Sequence, residues 1–193
     1  MIENLPTNDS QLINKYLNGE QYAFEIIVNK YKDRIFTSIQ FMVKDIYLAE
    51  DIFQETFIKI IDSIKKGGYI DSGKFLPWAI SIARNLCLDY FRTVKRKTVI
   101  TTINGTSIFD TLSFSEENIE LQLMKTQSAE KVRILIDKLP QDLREVVILR
   151  HYANLSFKEI AQITNTTIST SIGRMRYALQ NTRKLIAEKQ ISL

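Results

Sequence analysis

From Leu12 onward the apolar residues of this chain recur three and four positions apart, a period that fits helices and excludes most other regular structure. Leu12 and Tyr16 open the series. After Gly19-Glu20 it continues through Ala23, Phe24, Ile27, Val28, Tyr31 and Ile35, which reads as a short helix, a break and a longer helix. Ala49, Ile52, Phe53, Phe57, Ile60 and Ile64 form a second stripe, stopped at Gly67-Gly68, where glycine supplies the backbone freedom that suits a helix end. A further helix is expected from about Trp78 to Lys97, with Pro77 in its first turn and Trp78, Ile82, Leu86 and Tyr90 along one side. Six glycines and three prolines in 193 residues are too few for the turns of a sandwich or barrel, so the expected fold class is all-α.

The period lapses between Thr98 and about Ser115. The stretch TVITTINGTSIFDTLSFS is rich in Ser and Thr, contains Asn104-Gly105, and reads as a linker. A β-hairpin around Asn104-Gly105 is the competing reading, since Val99, Ile100 and Ile103 are β-branched, but two strands without a sheet have little to stabilise them. From Ser128 the helical spacing resumes with Val132, Leu135, Ile136 and Leu139, halts at Pro140, and continues with Val146, Val147, Leu149 and Arg150. The expected organisation is two small helical domains, residues 10–97 and 128–193, joined by a flexible linker over 98–127. Charge follows the same division: +2 over residues 1–98, −3 over 99–127 and +5 over 128–193. A basic C-terminal third and a local basic run at Arg92, Lys95, Arg96 and Lys97 suggest two phosphate-facing surfaces on either side of an acidic connection.

With one cysteine and one histidine the chain can form no internal disulfide and no Cys-based zinc cage, so no metal or cofactor is expected and the compartment is expected to be reducing. Met1 to Ser10 lacks the basic start and apolar run of a signal peptide. Phe57 to Ile64 is interrupted by Lys59 and Asp62, far short of the ~20 apolar residues that span a bilayer. No membrane insertion and a cytoplasmic location are expected. Cys87 reads as a small buried hydrophobe, and His151, with no carboxylate or second histidine at ligand spacing, as structural or exposed.

Two constellations carry chemistry. In the C-terminal part, Ser156 and Glu159 form a capping box that opens a helix, with Ile160, Ala161 and Ile163 packing inward. A polar break at Asn165, Thr166 and Thr167 follows, Asn165 being able to take the left-handed conformation that glycine usually fills at such a turn. A second helix from about Ile168 then carries Ser169, Thr170, Gly173, Arg174, Arg176 and Tyr177 outward, the composition of a helix that enters a major groove. A helical hairpin with a solvated basic face is the bland alternative. In the N-terminal part, AEDIFQETF pairs a buried face with a polar face of Glu50, Asp51, Gln54 and Glu55. Asp51 and Glu55, four apart, could suit a metal or an acid/base pair, but without a third ligand or a histidine an acidic docking surface or a solvated face is the better reading. Phe75 to Lys97 interleaves aromatics with a basic end, which suits stacking on unpaired bases, while Trp78 and Phe75 taken singly read more readily as core.

These residues resemble the ECF-type sigma factors, the small members of the sigma-70 family that direct bacterial RNA polymerase to promoters. The resemblance covers residues 12–97 and 128–187. AEDIFQETF is similar to the segment that docks on the polymerase clamp helices, and FLPWAISIARNLCLDYFR to the part that melts and reads the minus-ten element. LPQDLREVVILRHYANLSFKEIAQI followed by STSIGRMRYA resembles the region that binds the minus-35 element and the polymerase flap. The resemblance implies that Asp51, Gln54 and Glu55 contact core polymerase. It implies that Trp78, Arg84, Asn85, Asp89, Arg92, Lys95 and Arg96, with the loop from Tyr69 to Lys74, face minus-ten DNA. Thr170, Gly173, Arg174, Arg176 and Tyr177 would meet the minus-35 duplex. Ile172 stands where the family often has a basic residue, Gly173 where it has Ser and Tyr177 where it has Arg, so a family minus-35 preference does not transfer. The acidic connection agrees with a family linker that runs toward the RNA exit path.

The implied function is that of an alternative sigma factor that binds core RNA polymerase and promoter DNA and directs promoter recognition, melting and initiation. It works by binding, without catalytic residues, and an anti-sigma factor is a further partner that the resemblance allows. An autonomous helix-turn-helix regulator whose N-terminal domain dimerises or senses a ligand is the rival reading. A nucleic-acid enzyme is weaker, since the chain has no carboxylate cluster, Gly-rich phosphate loop or nucleophile pair.

Overall fold

The computed structural model describes residues 8–69, 73–101 and 127–189, with side chains described for 8–69, 73–94 and 131–187. Residues 102–126 of the expected linker, residues 70–72 of the loop before Phe75, and the side chains of Lys95 and Arg96 lie outside the described residues; the ends of that linker are corrected, since 98–101 belong to α4 and Gln127 opens α5. The chain divides into two compact units, Met1–Thr111 and Leu112–Leu193. The described residues contain no strand, in agreement with the all-α expectation.

The first unit is built from α1 (Asp9–Leu17), α2 (Gln21–Val43), α3 (Ile46–Lys65) and α4 (Phe75–Thr101). The Asn8 side chain accepts a hydrogen bond from the Ser10 amide at the start of α1, and Gly19 takes φ +98 in the break before α2. Asp9 is buried, with its carboxylate accepting from Lys30 Nζ at 2.7 Å and from the Tyr31 hydroxyl at 2.6 Å, which pins α1 across α2. Between α2 and α3 the chain turns in two residues: Lys44 is left-handed, and the Asp45 carboxylate caps α3 through the Leu48 amide at 3.0 Å. Beyond α3, Gly67 takes φ +70 and the Gly68 amide donates to the Ser63 carbonyl at 2.8 Å, so the glycines end the helix as their sequence position predicts.

Ile27, Ile35 and Ile39 of α2, Ala49 and Ile60 of α3, and Phe75, Ala79 and Ile80 of α4 are fully buried and form the centre of this unit. Tyr31 stacks on Phe75 at 5.3 Å between ring centroids. Two expectations for α4 are corrected. The helix starts at Phe75 rather than Trp78, because the first four amides of a helix have no internal partner and proline is tolerated anywhere in that turn. Of the expected side Trp78, Ile82, Leu86 and Tyr90 only Leu86 is buried; the buried side is Phe75, Leu76, Ala79, Ile80, Ala83, Leu86 and Cys87. Steps of four alone drift by about 40° each on a 3.6-residue helix, whereas steps alternating between three and four hold one face. Burial in this face pushes the Cys87 thiol up to about 12.

The second unit comprises α5 (Gln127–Asp137), α6 (Gln141–Val147), a π-helical turn (Ile148–Tyr152), α7 (Phe157–Thr164) and α8 (Ile168–Lys189). Its core is Leu135, Leu139, Val146, Ile148, Leu149, Leu155, Ile160 and Ala178. The π turn is a departure from the regular helix that Val146, Val147 and Leu149 suggest. The Ala153 amide reaches back five residues to the Ile148 carbonyl at 3.2 Å, and Ile148 and Leu149 are both buried within the turn. His151 is exposed.

Candidate nucleic-acid interface

The turn between α7 and α8 is fixed from both ends. The Ser156 hydroxyl accepts from the Glu159 amide and the Glu159 carboxylate accepts from the Ser156 amide at 2.7 Å, the capping box that the sequence predicts. Asn165 closes α7 in the left-handed conformation, with φ 52 and ψ 46, as expected of the residue that stands where glycine is usual. A chain of hydroxyls then crosses the turn, with Thr164 to Thr166 at 3.0 Å and Thr166 to Ser171 at 3.2 Å between oxygens. Thr167 caps α8 by accepting from the Thr170 amide at 3.0 Å. Ser171 is 0% exposed, so this hydroxyl belongs to the joint between the two helices. Sequence reasoning did not single it out; its only signal is a position seven residues before the equally buried Ala178.

On α8 the exposed residues of the first three turns include Ser169, Thr170, Ile172, Arg176 and Tyr177. Gly173 is half-buried. Arg174, expected to point outward with them, is also half-buried, and its Nη2 donates to the Asp142 carboxylate of α6 at 2.6 Å. Gly173 has no positive φ, and a Cβ added there would meet nothing within 4 Å. Gly173→Ala is therefore expected to stabilise the chain by about 0.5–1 kcal/mol through helix propensity alone, read as a higher midpoint of thermal unfolding. A lower midpoint would show that the fold uses the missing side chain.

In the first unit Asp51, Gln54 and Glu55 are exposed on one face of α3, and Glu55 pairs with Lys59 at 3.3 Å. Two exposed apolar side chains that sequence reasoning did not bring forward, Tyr47 and Ile58, lie one turn to either side at 65% and 58% exposure. The signal was available, since 47, 51, 54 and 58 follow helical spacing. Among the described residues no group of three or more His, Cys, Asp or Glu is placed to hold a metal.

Along α4 the face opposite the core carries Trp78, Asn85, Asp89 and Arg92, at steps of seven, four and three. Trp78 is half-buried against Tyr69, with centroids 4.5 Å apart, and against Phe75 at 5.7 Å. Phe75 itself is core. Asn85 is exposed, Asp89 and Arg92 pair at 3.0 Å in solvent, and Arg84 lies half-buried on the flank of this face.

Described residues that are helical without a strand, with a capped helix-turn-helix in one unit and a polar helix face beside an aromatic cluster in the other, have the architecture of a DNA-binding protein. Residues 22–97 match the family model for Sigma-70 region 2, and residues 129–185 that for Sigma-70, region 4. The chain is 30% identical over 175 residues to the ECF RNA polymerase sigma factor SigW of Bacillus subtilis, covering 87% of this chain and 92% of that protein. It is 28% identical over 175 residues to the RNA polymerase sigma-H factor of Pseudomonas aeruginosa, with 86% and 88% coverage. Its fold is similar to that of the sigma factor RpoE of Bartonella quintana, solved in complex with the anti-sigma factor NepR, at 18% identity and TM-score 0.71 over 85% of this chain and 96% of that one. CnrH, solved with the cytosolic domain of CnrY, gives a TM-score of 0.66 at 18% identity over 93% and 97%. The chain belongs to the sigma-70 family, among its ECF-type sigma factors. It is an alternative sigma factor that directs transcription initiation, with core RNA polymerase and promoter DNA as its partners.

Proposed function

We propose that the work of initiation is divided among three helix faces. Asp51, Gln54 and Glu55 of α3 dock on basic residues of core polymerase. Trp78, Arg84, Asn85, Asp89 and Arg92 of α4, continued by Lys95 and Arg96 and by the loop before Phe75, hold the separated minus-ten strand. Thr170, Gly173, Arg176 and Tyr177 of α8 meet the minus-35 duplex. The domains that carry these faces are residues 10–97 and 128–193, with 98–127 as the connection. Every step is binding and none is catalysis by this chain, which acts in the cytoplasm. No helix among the described residues is long and apolar enough to cross a membrane. By likeness to the Bartonella quintana factor, solved with its anti-sigma factor, an anti-sigma protein is included among the partners.

The observation that carries this reading is the exposed acidic face of α3, with Asp51, Gln54 and Glu55 together in solvent and, among the described residues, no third ligand placed to hold a metal with them. Exposed acidic side chains tied within the fold by no more than the solvent-exposed Glu55–Lys59 pair fit a basic protein surface better than a ligand pocket or a reaction centre. Co-elution of the full chain with core polymerase is the test. A sigma factor that docks through α3 is expected to travel with core in the absence of DNA, whereas a chain that binds duplex as an independent dimer and ignores core would refute the reading.

A further inference from the structure

Arg174 lies on the helix assigned to duplex DNA, yet its side chain is engaged with α6. Ser171 and Ala178, both fully buried, mark the side of α8 that packs into its own unit. At 3.6 residues per turn Arg174 is only about 60° around the helix from Ser171, while Arg176 is about 140° away. Arg174 is 24% exposed and donates to an Asp142 carboxylate that is 65% exposed, across 32 residues of sequence, at 2.6 Å. The same bond offsets the one carboxylate of α6's first turn, Asp142, which would otherwise stand beside the helix that approaches a polyanion.

We propose that Arg174 is a positioning residue: through Asp142 it fixes the rotation of α8 against α6, and so decides which side chains meet the duplex, without itself neutralising a DNA phosphate. This rests on the reading of α8 as the duplex-facing helix. A guanidinium tied at short range to a carboxylate has its charge already offset, so releasing it to a phosphate would exchange one charge-assisted bond for another and leave Asp142 unpaired near the DNA. Arg176, exposed on the outward side, carries the phosphate contact instead.

The test uses holoenzyme reconstituted from the full chain, a promoter duplex selected by that holoenzyme from a random-sequence pool, and a random-sequence duplex as reference. Affinities are measured as a function of salt. Arg174→Ala and Asp142→Ala are each expected to lower the preference for the selected duplex by roughly 5–30-fold, within the range typical of coupled sites, with the salt slope unchanged. The charge-swapped double variant Asp142→Arg, Arg174→Asp is expected to restore the preference to within about twofold, because the bond is kept with its ends exchanged. Arg176→Ala is expected to make the salt slope shallower by about 0.9, the change for one phosphate. A slope change of that size with Arg174→Ala, or a swapped variant as poor as the single ones, would overturn the positioning role. An Arg176→Ala variant with unchanged affinity and slope would instead overturn the placement of α8 on the duplex, an outcome distinct from the first.

Discussion

A chain carrying Asp51→Arg and Glu55→Arg is expected to lose binding to core polymerase by roughly two to four orders of magnitude while its thermal unfolding scarcely moves. Each carboxylate that meets a basic partner in a charge-assisted bond contributes about 1.5–3 kcal/mol, and each 1.4 kcal/mol is about tenfold in affinity. Reversing the charges adds repulsion to that loss. Within the fold the cost is small: both residues are exposed on α3, and the interaction removed is the Glu55–Lys59 pair at 3.3 Å, of a class worth about 0.3–0.5 kcal/mol. Arginine is at least as good a helix former as the residues it replaces. Titration of labelled variant into core polymerase, beside a thermal melt of the same preparation, reads both quantities. Near-normal core binding would remove α3 from the docking surface.

The second large effect is expected at Asn85. Opening a promoter takes bases out of the stack at a cost of a few kcal/mol each, which a binding protein must recover by stacking and edge hydrogen bonds. Asn85 offers a donor and an acceptor on one amide, and it is exposed on the α4 face shared with Trp78, Asp89 and Arg92. A structural alternative is that Asn85 caps a neighbouring helix. Its place ten residues into α4, exposed and with no hydrogen bond from its side chain to a described residue, gives that role no support. Asn85→Ala should therefore leave stability within about 0.5 kcal/mol, as for other surface positions. On a template already melted across the minus-ten element, it should lose base preference by about 1–3 kcal/mol, or roughly 5–150-fold, at one position. On a closed template it should also open the duplex poorly. A stable variant that keeps its base preference would pass the reading to the loop between α3 and α4.

Much of this architecture is written in local sequence, because local chemistry decides it. The capping box at Ser156 and Glu159, the left-handed Asn165 and the glycine stop after α3 each depend on a few neighbouring residues, and each is found where the sequence places it. The polar face of α3 follows from spacing in the same way, whereas on α4 steps of four placed Trp78 and Tyr90 on the wrong side. What the sequence did not disclose depends on partners distant along the chain. Arg174 has the composition of a groove-facing residue, but Asp142, on another helix, takes up its guanidinium. Ser171 looks like its neighbours Ser169 and Thr170, but the packing of α7 on α8 buries it. The π turn after α6 is likewise not marked by the spacing of Val146, Val147 and Leu149, which suits a regular helix.

Run-off transcription with purified core polymerase tests the central claim most directly. Core alone, and core with this chain, are supplied with a pool of linear duplexes carrying random sequence upstream of a fixed transcribed region, and the transcripts are sequenced. Discrete start sites are expected only when the chain is present, from templates that share one motif near minus ten and another near minus 35, with no second activator and no hydrolysing factor added. Transcripts that are unchanged by a chain that nonetheless binds core, or a chain that selects duplexes from the pool equally well without core, would contradict that claim.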